Sequence, residues 1–163
     1  MTFLDEPVRG EGADDRVERR SAAGEGGGEP PAAPGEGALR ARVLIVDDDR
    51  IDRMAVRRHL AHASAEITVE EADGVLAAIN RLTADAFDCV VLDYNLPDGD
   101  GLTFLRGLRT AGIEAPVVML TGQDDAEVTR QLMLSGAAAY ISKSSLSPEL
   151  LLTSIRDAIQ GRR

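Results

Sequence analysis

The sequence predicts an α/β fold in which a five-stranded parallel sheet is covered by helices on both faces. Between residues 40 and 163, five short apolar runs alternate with five longer segments of helical periodicity. This alternation is typical of parallel sheets, because the helix that joins two parallel strands packs on a face of the sheet. Residues 43–46 and 117–120 are continuously apolar, as expected of central strands buried on both sides. The predicted strands are RVLIV (42–46), EITVE (66–70), FDCVVL (87–92), PVVML (116–120) and AAYIS (138–142).

The predicted helices follow the strands in order. After the first strand, Ile51, Ala55 and His59 recur four positions apart, which places them on one face of a helix. After the second strand, Val75 and Ile79 belong to a similar amphipathic face. The three remaining helices are predicted over residues 101–110, 125–134 and 148–159.

Residue types at the ends of these segments support their limits. Ser147 precedes Pro148, which predicts a serine N-cap followed by proline at the first helical position. Gly112 and Gly136 each follow a helical segment and are predicted to end it as C-terminal caps.

Length and composition separate one folded domain from an N-terminal extension. The chain has 163 residues, of which 44% are hydrophobic, and this is sufficient for one domain with a core. Residues 1–39 consist mainly of Gly, Pro, Ala, Glu and Arg, with few residues that could be buried. We therefore predict a disordered extension over residues 1–39 and a folded domain over residues 40–163.

Charge and the lack of targeting signals indicate a cytoplasmic protein. The formal net charge of −10 argues against direct binding to nucleic acid, which depends on lysine and arginine. The N-terminal sequence lacks the features of a secretory signal, and no run approaches the roughly 20 apolar residues that cross a bilayer. The single cysteine, Cys89, is consistent with a reducing compartment.

Polar residues follow the predicted strands at the edge where a parallel sheet binds its ligand. Consecutive acids at such an edge repel one another unless a cation is bound. Oxygen ligands favour a hard cation, and a few carboxylates with room for water suit Mg²⁺. The polar residues are Asp47, Asp48 and Asp49 after the first strand, Asp93 after the third, Thr121 after the fourth, and Lys143, the only lysine of the chain, after the fifth.

Together these groups could support a phosphoryl group on a carboxylate. Asp93, alone at the end of a central strand, is the candidate acceptor, and Asp47 and Asp48 are candidate metal ligands. The Thr121 hydroxyl could donate a hydrogen bond to the phosphoryl oxygens, and the Lys143 ammonium could balance their charge.

Four segments resemble the receiver domain of two-component response regulators: VLIVDDD, VVLDYNLPDGDGL, VVMLTG and AAYISKSSL. The resemblance covers about residues 42–160. It implies a flavodoxin-like fold with strand order 2-1-3-4-5. It also implies that a sensor histidine kinase or a phosphotransfer protein supplies the phosphoryl group.

The resemblance also implies a metal site and a switch. Carried over by position, Asp48 binds Mg²⁺ directly and Asp47 binds it through water. The backbone carbonyl of Asn95 completes the site, beside Asp93 as phosphoacceptor.

The remaining carried-over positions describe how the signal leaves the site. Thr121 and Lys143 contact the phosphoryl group. Tyr140 matches an aromatic switch residue that changes its exposure as the threonine moves. The output surface is then formed by the fourth and fifth helices and the fifth strand, for a downstream protein that the sequence does not identify.

Two features depart from the commonest pattern of the family. Ser144 follows Lys143, where many receivers have proline. No output domain follows the last predicted helix, so we expect a stand-alone receiver that binds a partner or passes the phosphoryl group onward. Such a protein assists its own phosphorylation and is not expected to turn over a separate substrate.

Two other functions are compatible with parts of the pattern. One is a protein-interaction module that keeps the receiver fold but works without phosphate. The other is a magnesium-dependent phosphatase with an aspartate nucleophile. That class of phosphatase requires a second acid two residues after the first, where this chain has Asn95.

Overall fold

The computed structural model describes residues 38–63 and 65–161 of the chain. Of the extension predicted to be disordered (residues 1–39), residues 1–37 lie outside this part. Within it, no helix is long and apolar enough to cross a membrane. The strands of the main sheet are β1 (Arg40–Val46), β2 (Glu66–Ala72), β3 (Cys89–Asp93), β4 (Val117–Thr121) and β5 (Ala139–Ser142). The helices are α1 (Arg50–Ala61), α2 (Val75–Ala84), α3 (Gly101–Thr110), α4 (Ala126–Leu134) and α5 (Pro148–Gly161).

The main sheet is parallel throughout, and its strands lie in the order β2-β1-β3-β4-β5. This is the predicted order for a doubly wound α/β domain. In the register of the sheet, Val46 lies beside Leu92, and Asp93 lies beside Leu120. The carboxyl ends of β1, β3 and β4 therefore meet at one edge.

Each face of the sheet carries its own apolar core, as the predicted two-sided covering requires. Leu92 of β3 packs in a cluster with Leu105 of α3 and Leu132 of α4. Its neighbour Val91 belongs to a second cluster, with Leu151 of α5. Successive residues of a strand point to opposite faces, so an apolar strand such as β3 supplies both cores.

Two predicted site residues lie on the strands themselves, because β3 and β4 each end one residue later than predicted. Asp93 is the last residue of β3 and Thr121 is the last residue of β4. Their backbones continue the ladder, because Asp93 pairs with Leu120 and Thr121 pairs with Ser142. Pairing in the sheet therefore fixes the backbone of both residues.

The predicted helix caps are present. Ser147 Oγ accepts a hydrogen bond from the amide of Leu150 at 3.2 Å. Gly112 and Gly136 have φ values of +76° and +98°, the left-handed conformation of a residue that ends a helix. Helix α4 begins one residue later than predicted, because Asp125 is its N-cap.

Helix α2 is capped by a residue that is distant in sequence. Its N-cap residue is Gly74, which has no side chain to accept a hydrogen bond. The carboxylate of Asp98 instead accepts hydrogen bonds from the amides of Val75 at 2.9 Å and Leu76 at 3.1 Å. Asp98 belongs to a short hairpin between β3 and α3, formed by Asn95–Leu96 and Gly99–Asp100. The hairpin beside β3 is thereby attached to α2.

Helix α3 makes a close approach to the end of β3 through Gly101. The Gly101 amide donates a hydrogen bond to the Tyr94 carbonyl at 2.6 Å. A Cβ atom at Gly101 would lie 2.8 Å from the Asp93 carbonyl oxygen and 2.9 Å from Tyr94 Cα. Only glycine allows this contact, which fixes the backbone at Asp93 and Tyr94.

Gly101→Ala is expected to lower the free energy of unfolding by about 1–3 kcal/mol, because its methyl group overlaps backbone atoms that cannot move aside alone. Gly107→Ala, in the same helix, is the control. No atom lies within 4 Å of a Cβ at Gly107, and this change should raise stability by roughly 0.5–1 kcal/mol. Urea unfolding measures both variants. Equal effects of the two substitutions would contradict the close approach.

Candidate functional site

Three aspartates from two neighbouring strands lie together at the carboxyl edge of the sheet. Asp47 and Asp48 directly follow β1, and Asp93 ends β3. Each offers a carboxylate oxygen, and these oxygens all lie within 4.8 Å of one another. Asp47 and Asp93 are 1% and 4% exposed, whereas Asp48 faces solvent. An all-oxygen donor set that is open on one side fits the preferences of Mg²⁺.

The loop after β1 is held by its own backbone and by α1. Asp47 Oδ1 accepts a hydrogen bond from the Asp49 amide at 2.8 Å. Asp49 in turn caps α1, since its Oδ1 accepts from the amide of Ile51 at 2.7 Å. From one turn further along the helix, Arg53 Nη1 donates to the Asp47 carbonyl at 2.7 Å. These contacts fix Asp47 in its buried position.

Lys143 reaches the acidic cluster from β5, which lies two strands away from β3. Its Nζ lies 3.2 Å from Asp47 Oδ2 and 3.2 Å from Asp93 Oδ1. A third carboxylate, Asp52 on α1, is nearer, at 2.7 Å. The structure thus brings together Lys143, Asp47 and Asp93, as their positions at strand ends predict. Sequence reasoning did not identify Asp52.

The Asp93 carboxylate has unsatisfied bonding capacity. Its Oδ1 is buried and accepts no hydrogen bond from the described residues, because the 3.2 Å approach of Lys143 is an ion pair without hydrogen-bond geometry. A pocket of about 410 Å³ opens over this site. Its walls include Asp48, Asn95 and Gly122. A buried oxygen without a donor, at the base of an open pocket, is available to a cation or to an incoming electrophile.

Burial and charge perturb the titration of this group. Burial and the neighbouring Asp47 charge raise the pKa of Asp93 from 3.8 to about 6, against the opposing charge of Lys143. Burial also raises the pKa of Asp47, although the Asp49 amide and Lys143 oppose it. For Lys143, burial disfavours the ammonium form, but Asp52 and the charges of Asp93 and Asp47 outweigh burial and raise its pKa.

Thr121 lies at the site but uses its hydroxyl within its own turn. The residue is 1% exposed. Its Oγ1 donates to the Gln123 carbonyl and accepts from the Gln123 amide, both at 3.2 Å. Gly122, the next residue, is the one that lines the pocket.

Tyr140 is joined to the same turn from β5. The single proton of its hydroxyl is shared between Asp124 Oδ1 at 2.9 Å and the Gln123 carbonyl at 3.2 Å. The ring is half-buried and packs against the core beneath α3 and α4. Thr121 and Tyr140 therefore share the Gln123 carbonyl as an acceptor.

Fold and site together define a doubly wound α/β domain with an acidic pocket and a lysine at the carboxyl edge of its sheet. The response regulator receiver domain is the family whose sequence profile matches, over residues 43–156. The chain therefore belongs to the response regulator receiver domain family, in agreement with the four sequence segments that resemble it.

Relatives of known sequence include two mycobacterial regulators. The chain is 35% identical over 113 residues to the response regulator MprA of Mycobacterium ulcerans, which covers 69% of this chain and 48% of the relative. It is 36% identical over 110 residues to MprA of Mycobacterium avium, with 68% and 47% covered. The chain thus spans about half the length of the curated relatives it matches.

Solved structures agree with the fold. The signal receiver domain of a NarL response regulator from Mycobacterium tuberculosis superposes with a TM-score of 0.69 at 27% identity, covering 76% of this chain and 98% of that one. The chemotaxis response regulator CheY4 of Vibrio cholerae gives a TM-score of 0.65 at 29% identity, with 74% and 99% covered.

Asp93→Asn is expected to stabilise the protein at high pH in the presence of a chelator. Folding raises the pKa of Asp93 from 3.8 to about 6, so the folded state keeps this proton to a higher pH than the unfolded state does. The free energy of unfolding therefore falls as the pH increases through this window. Above that window the ionised Asp93 costs on the order of 3 kcal/mol, which the amide avoids. The gain should approach zero below pH 4.

Urea unfolding between pH 4 and pH 8 measures the difference between variant and wild type. Asp157→Asn, which removes an exposed carboxylate from α5, should leave stability nearly unchanged at both pH values. Equal stability of Asp93→Asn and wild type at pH 8 would show that Lys143 fully compensates the buried charge.

Proposed function

We propose that this protein is a phosphorylatable receiver of a two-component or phosphorelay system and that Asp93 is its phosphoacceptor. The observation that carries the proposal is the environment of the Asp93 carboxylate. This carboxylate is buried, has an oxygen that accepts no hydrogen bond from the described residues, and lies 3.2 Å from Lys143 in an acidic pocket. Membership of the receiver family supports the same assignment.

The donor is a phosphohistidine on a sensor histidine kinase or on a phosphotransfer protein. An Asp93 oxygen forms the new P–O bond while the P–N bond to the donor histidine breaks. The electron pair of that bond leaves with the imidazole. The protein contributes position and charge to this step, and Lys143 is the cation that is already within reach of the transferred oxygens.

Mg²⁺ is the cofactor that the donor set fits. Asp48 and Asp93 would bind it directly, Asp47 would bind it through water, and the Asn95 backbone carbonyl would complete the set. When bound, Mg²⁺ supplies positive charge against the phosphoryl oxygens. Asp47 and Asp93 bring two buried negative charges close together, so the cation also relieves their repulsion.

The switch runs through the turn that follows β4. On phosphorylation, Thr121 moves its hydroxyl from the Gln123 carbonyl to the phosphoryl group, and Tyr140 responds. Two observations support this proposal. Thr121 and Tyr140 share the Gln123 carbonyl as acceptor, and Gly122, which separates Thr121 from Gln123, lines the pocket. The change biases an existing two-state equilibrium.

The output is a change in protein contacts at the face of α4, β5 and α5. Leu134 at the end of α4 is 74% exposed. Met133 on α4 and Leu150 on α5 are further exposed apolar residues. We propose a downstream protein as the partner of this face, with neither direct nucleic-acid binding nor membrane contact by the receiver itself. We also propose a cytoplasmic location and no turnover of a separate substrate.

Incubation with Mg²⁺ and a small acyl phosphate is expected to add one phosphoryl group to the wild-type protein, and Asp93→Asn is expected to gain none. The amide cannot act as the anionic nucleophile. Intact-protein mass spectrometry measures the gain, and peptide mapping after trapping locates it. A chelator should abolish the reaction.

Asp157→Asn is the control, since it removes a carboxylate from α5 and leaves the pocket intact. Equal gains by wild type and Asp93→Asn would contradict Asp93 as acceptor. A wild type that gains nothing would favour an interaction module that works without phosphate. Steady release of phosphate from monoesters would favour the phosphatase.

Tyr140→Phe is expected to loosen the turn after β4 while leaving the ring in place. It removes the hydroxyl proton that is shared between Asp124 and the Gln123 carbonyl. Amide hydrogen exchange at these two residues should accelerate about two- to tenfold. Tyr94→Phe makes the same chemical change at the other tyrosine and is the control. Unchanged exchange in Tyr140→Phe would remove the hydroxyl from the proposed switch.

A further inference from the structure

Lys143 is held most closely by a carboxylate to which neither the sequence pattern nor the proposed function gives a role. Asp52 lies on α1, 91 positions from Lys143 in sequence, and its Oδ2 accepts a hydrogen bond from Nζ at 2.7 Å. Asp47 and Asp93 each lie 3.2 Å from the same nitrogen. Asp52 also lines the pocket that opens over Asp93.

The three carboxylates around Lys143 differ in how freely they can give it up. Asp47 is buried, and its other oxygen accepts from the Asp49 amide, so turning away would leave a charge unpaired in the interior. Asp93 is buried at the base of the site and is itself the proposed acceptor. The Asp52 side chain is 40% exposed on a helix surface and can rotate into water at little cost.

We propose that Asp52 is a positioning residue that restrains Lys143 in the resting protein and thereby lowers the rate at which Asp93 is phosphorylated. This inference rests on the proposed function, and it adds a regulatory role for a residue outside the acceptor and metal set. In the resting protein Asp52 holds the ammonium on the α1 side of the pocket. During transfer Lys143 leaves Asp52 for the phosphoryl oxygens.

Two physical effects of Asp52 act in the same direction. The contact with Lys143 stabilises the resting arrangement, and this stabilisation must be given up before the ammonium can serve the phosphoryl group. The Asp52 charge also repels a group that brings roughly −1.5 to −2 charges into the pocket at neutral pH. Removing the charge should therefore favour phosphorylation on both counts.

Asp52→Asn tests the proposal, with Asp49→Asn as a matched control. Both substitutions remove one carboxylate from the N-terminal turn of α1, and both therefore change the interaction with the helix dipole. Asparagine caps a helix about as well as aspartate, so Asp49→Asn retains the cap. Of these two residues, only Asp52 contacts the Lys143 ammonium, whereas Asp49 caps α1.

The first measurement is the rate of phosphorylation by a small acyl phosphate with Mg²⁺, followed by intact mass. Asp52→Asn should react about two- to fivefold faster than wild type, the range expected for loss of a partly exposed ion pair. Asp49→Asn should show a smaller increase, because it removes repulsion without releasing Lys143.

The second measurement observes Lys143 directly, without metal or phosphodonor. Because the chain has a single lysine, protein labelled with ¹³C-lysine gives one set of ε-methylene signals. An ammonium fixed between carboxylates keeps its two ε protons inequivalent, and a mobile one averages them. Asp52→Asn should bring the two proton shifts together, whereas Asp49→Asn should keep the wild-type separation.

Each outcome decides between the two claims. A wild type that is phosphorylated on Asp93, with Asp52→Asn reacting at the wild-type rate or no faster than Asp49→Asn, overturns the role of Asp52 and leaves the proposed function standing. Faster reaction with unchanged ε-proton separation also overturns it, because the effect would then be charge repulsion alone. A wild type that gains no phosphoryl group overturns the proposed function and this inference with it.

Discussion

The acidic site at the edge of the sheet depends on the ion pairs of the Lys143 ammonium. The ammonium lies within 3.2 Å of three carboxylates, and two of them, Asp47 and Asp93, are almost completely buried. Two buried like charges this close are costly without a cation. The strand order makes the contact possible, because in the described sheet β4 alone separates β3 from β5 and Gly122, just after β4, leaves open space. The fold therefore determines which cation reaches the acids.

The site is a local departure from the otherwise apolar interior. Leu92 and Leu120, which immediately precede the two polar strand ends, are almost completely buried in opposite cores. The next residues, Asp93 and Thr121, are equally buried but polar, and only Thr121 has its hydrogen bonds satisfied there. Proteins accept such local conflict at functional sites. The cost of ionising Asp93 beside Asp47 would be lowered by a bound cation.

The sequence predicted the five strands of the main sheet and the five α-helices that cover it, because the patterns that indicate them are local in sequence. Apolar period and caps such as Ser147 and Gly136 are read from neighbours along the chain. Among long-range contacts of polar side chains, only those at strand ends, such as Lys143 with Asp93, followed from the predicted strand positions. Asp52 resembles an ordinary acid in the first turn of a helix, and only the tertiary structure, in which α1 packs against α5, shows that it contacts Lys143. Asp98 likewise caps α2 from a hairpin 23 positions away.

The turn after β4 explains how a local event at the pocket can reach a distant face. Gly122 lines the pocket, and the carbonyl of the next residue, Gln123, accepts from both Thr121 and Tyr140. A carbonyl has two lone pairs, so both donors can bind at once in the resting state. In the proposed switch, Thr121 would leave for another acceptor, and the carbonyl would then keep only Tyr140. Because the Tyr140 ring packs on the core beneath α3 and α4, a shift of this turn would change packing as well as hydrogen bonding. In the proposed switch, this shared acceptor would couple the phosphoryl site to the surface of α4, β5 and α5.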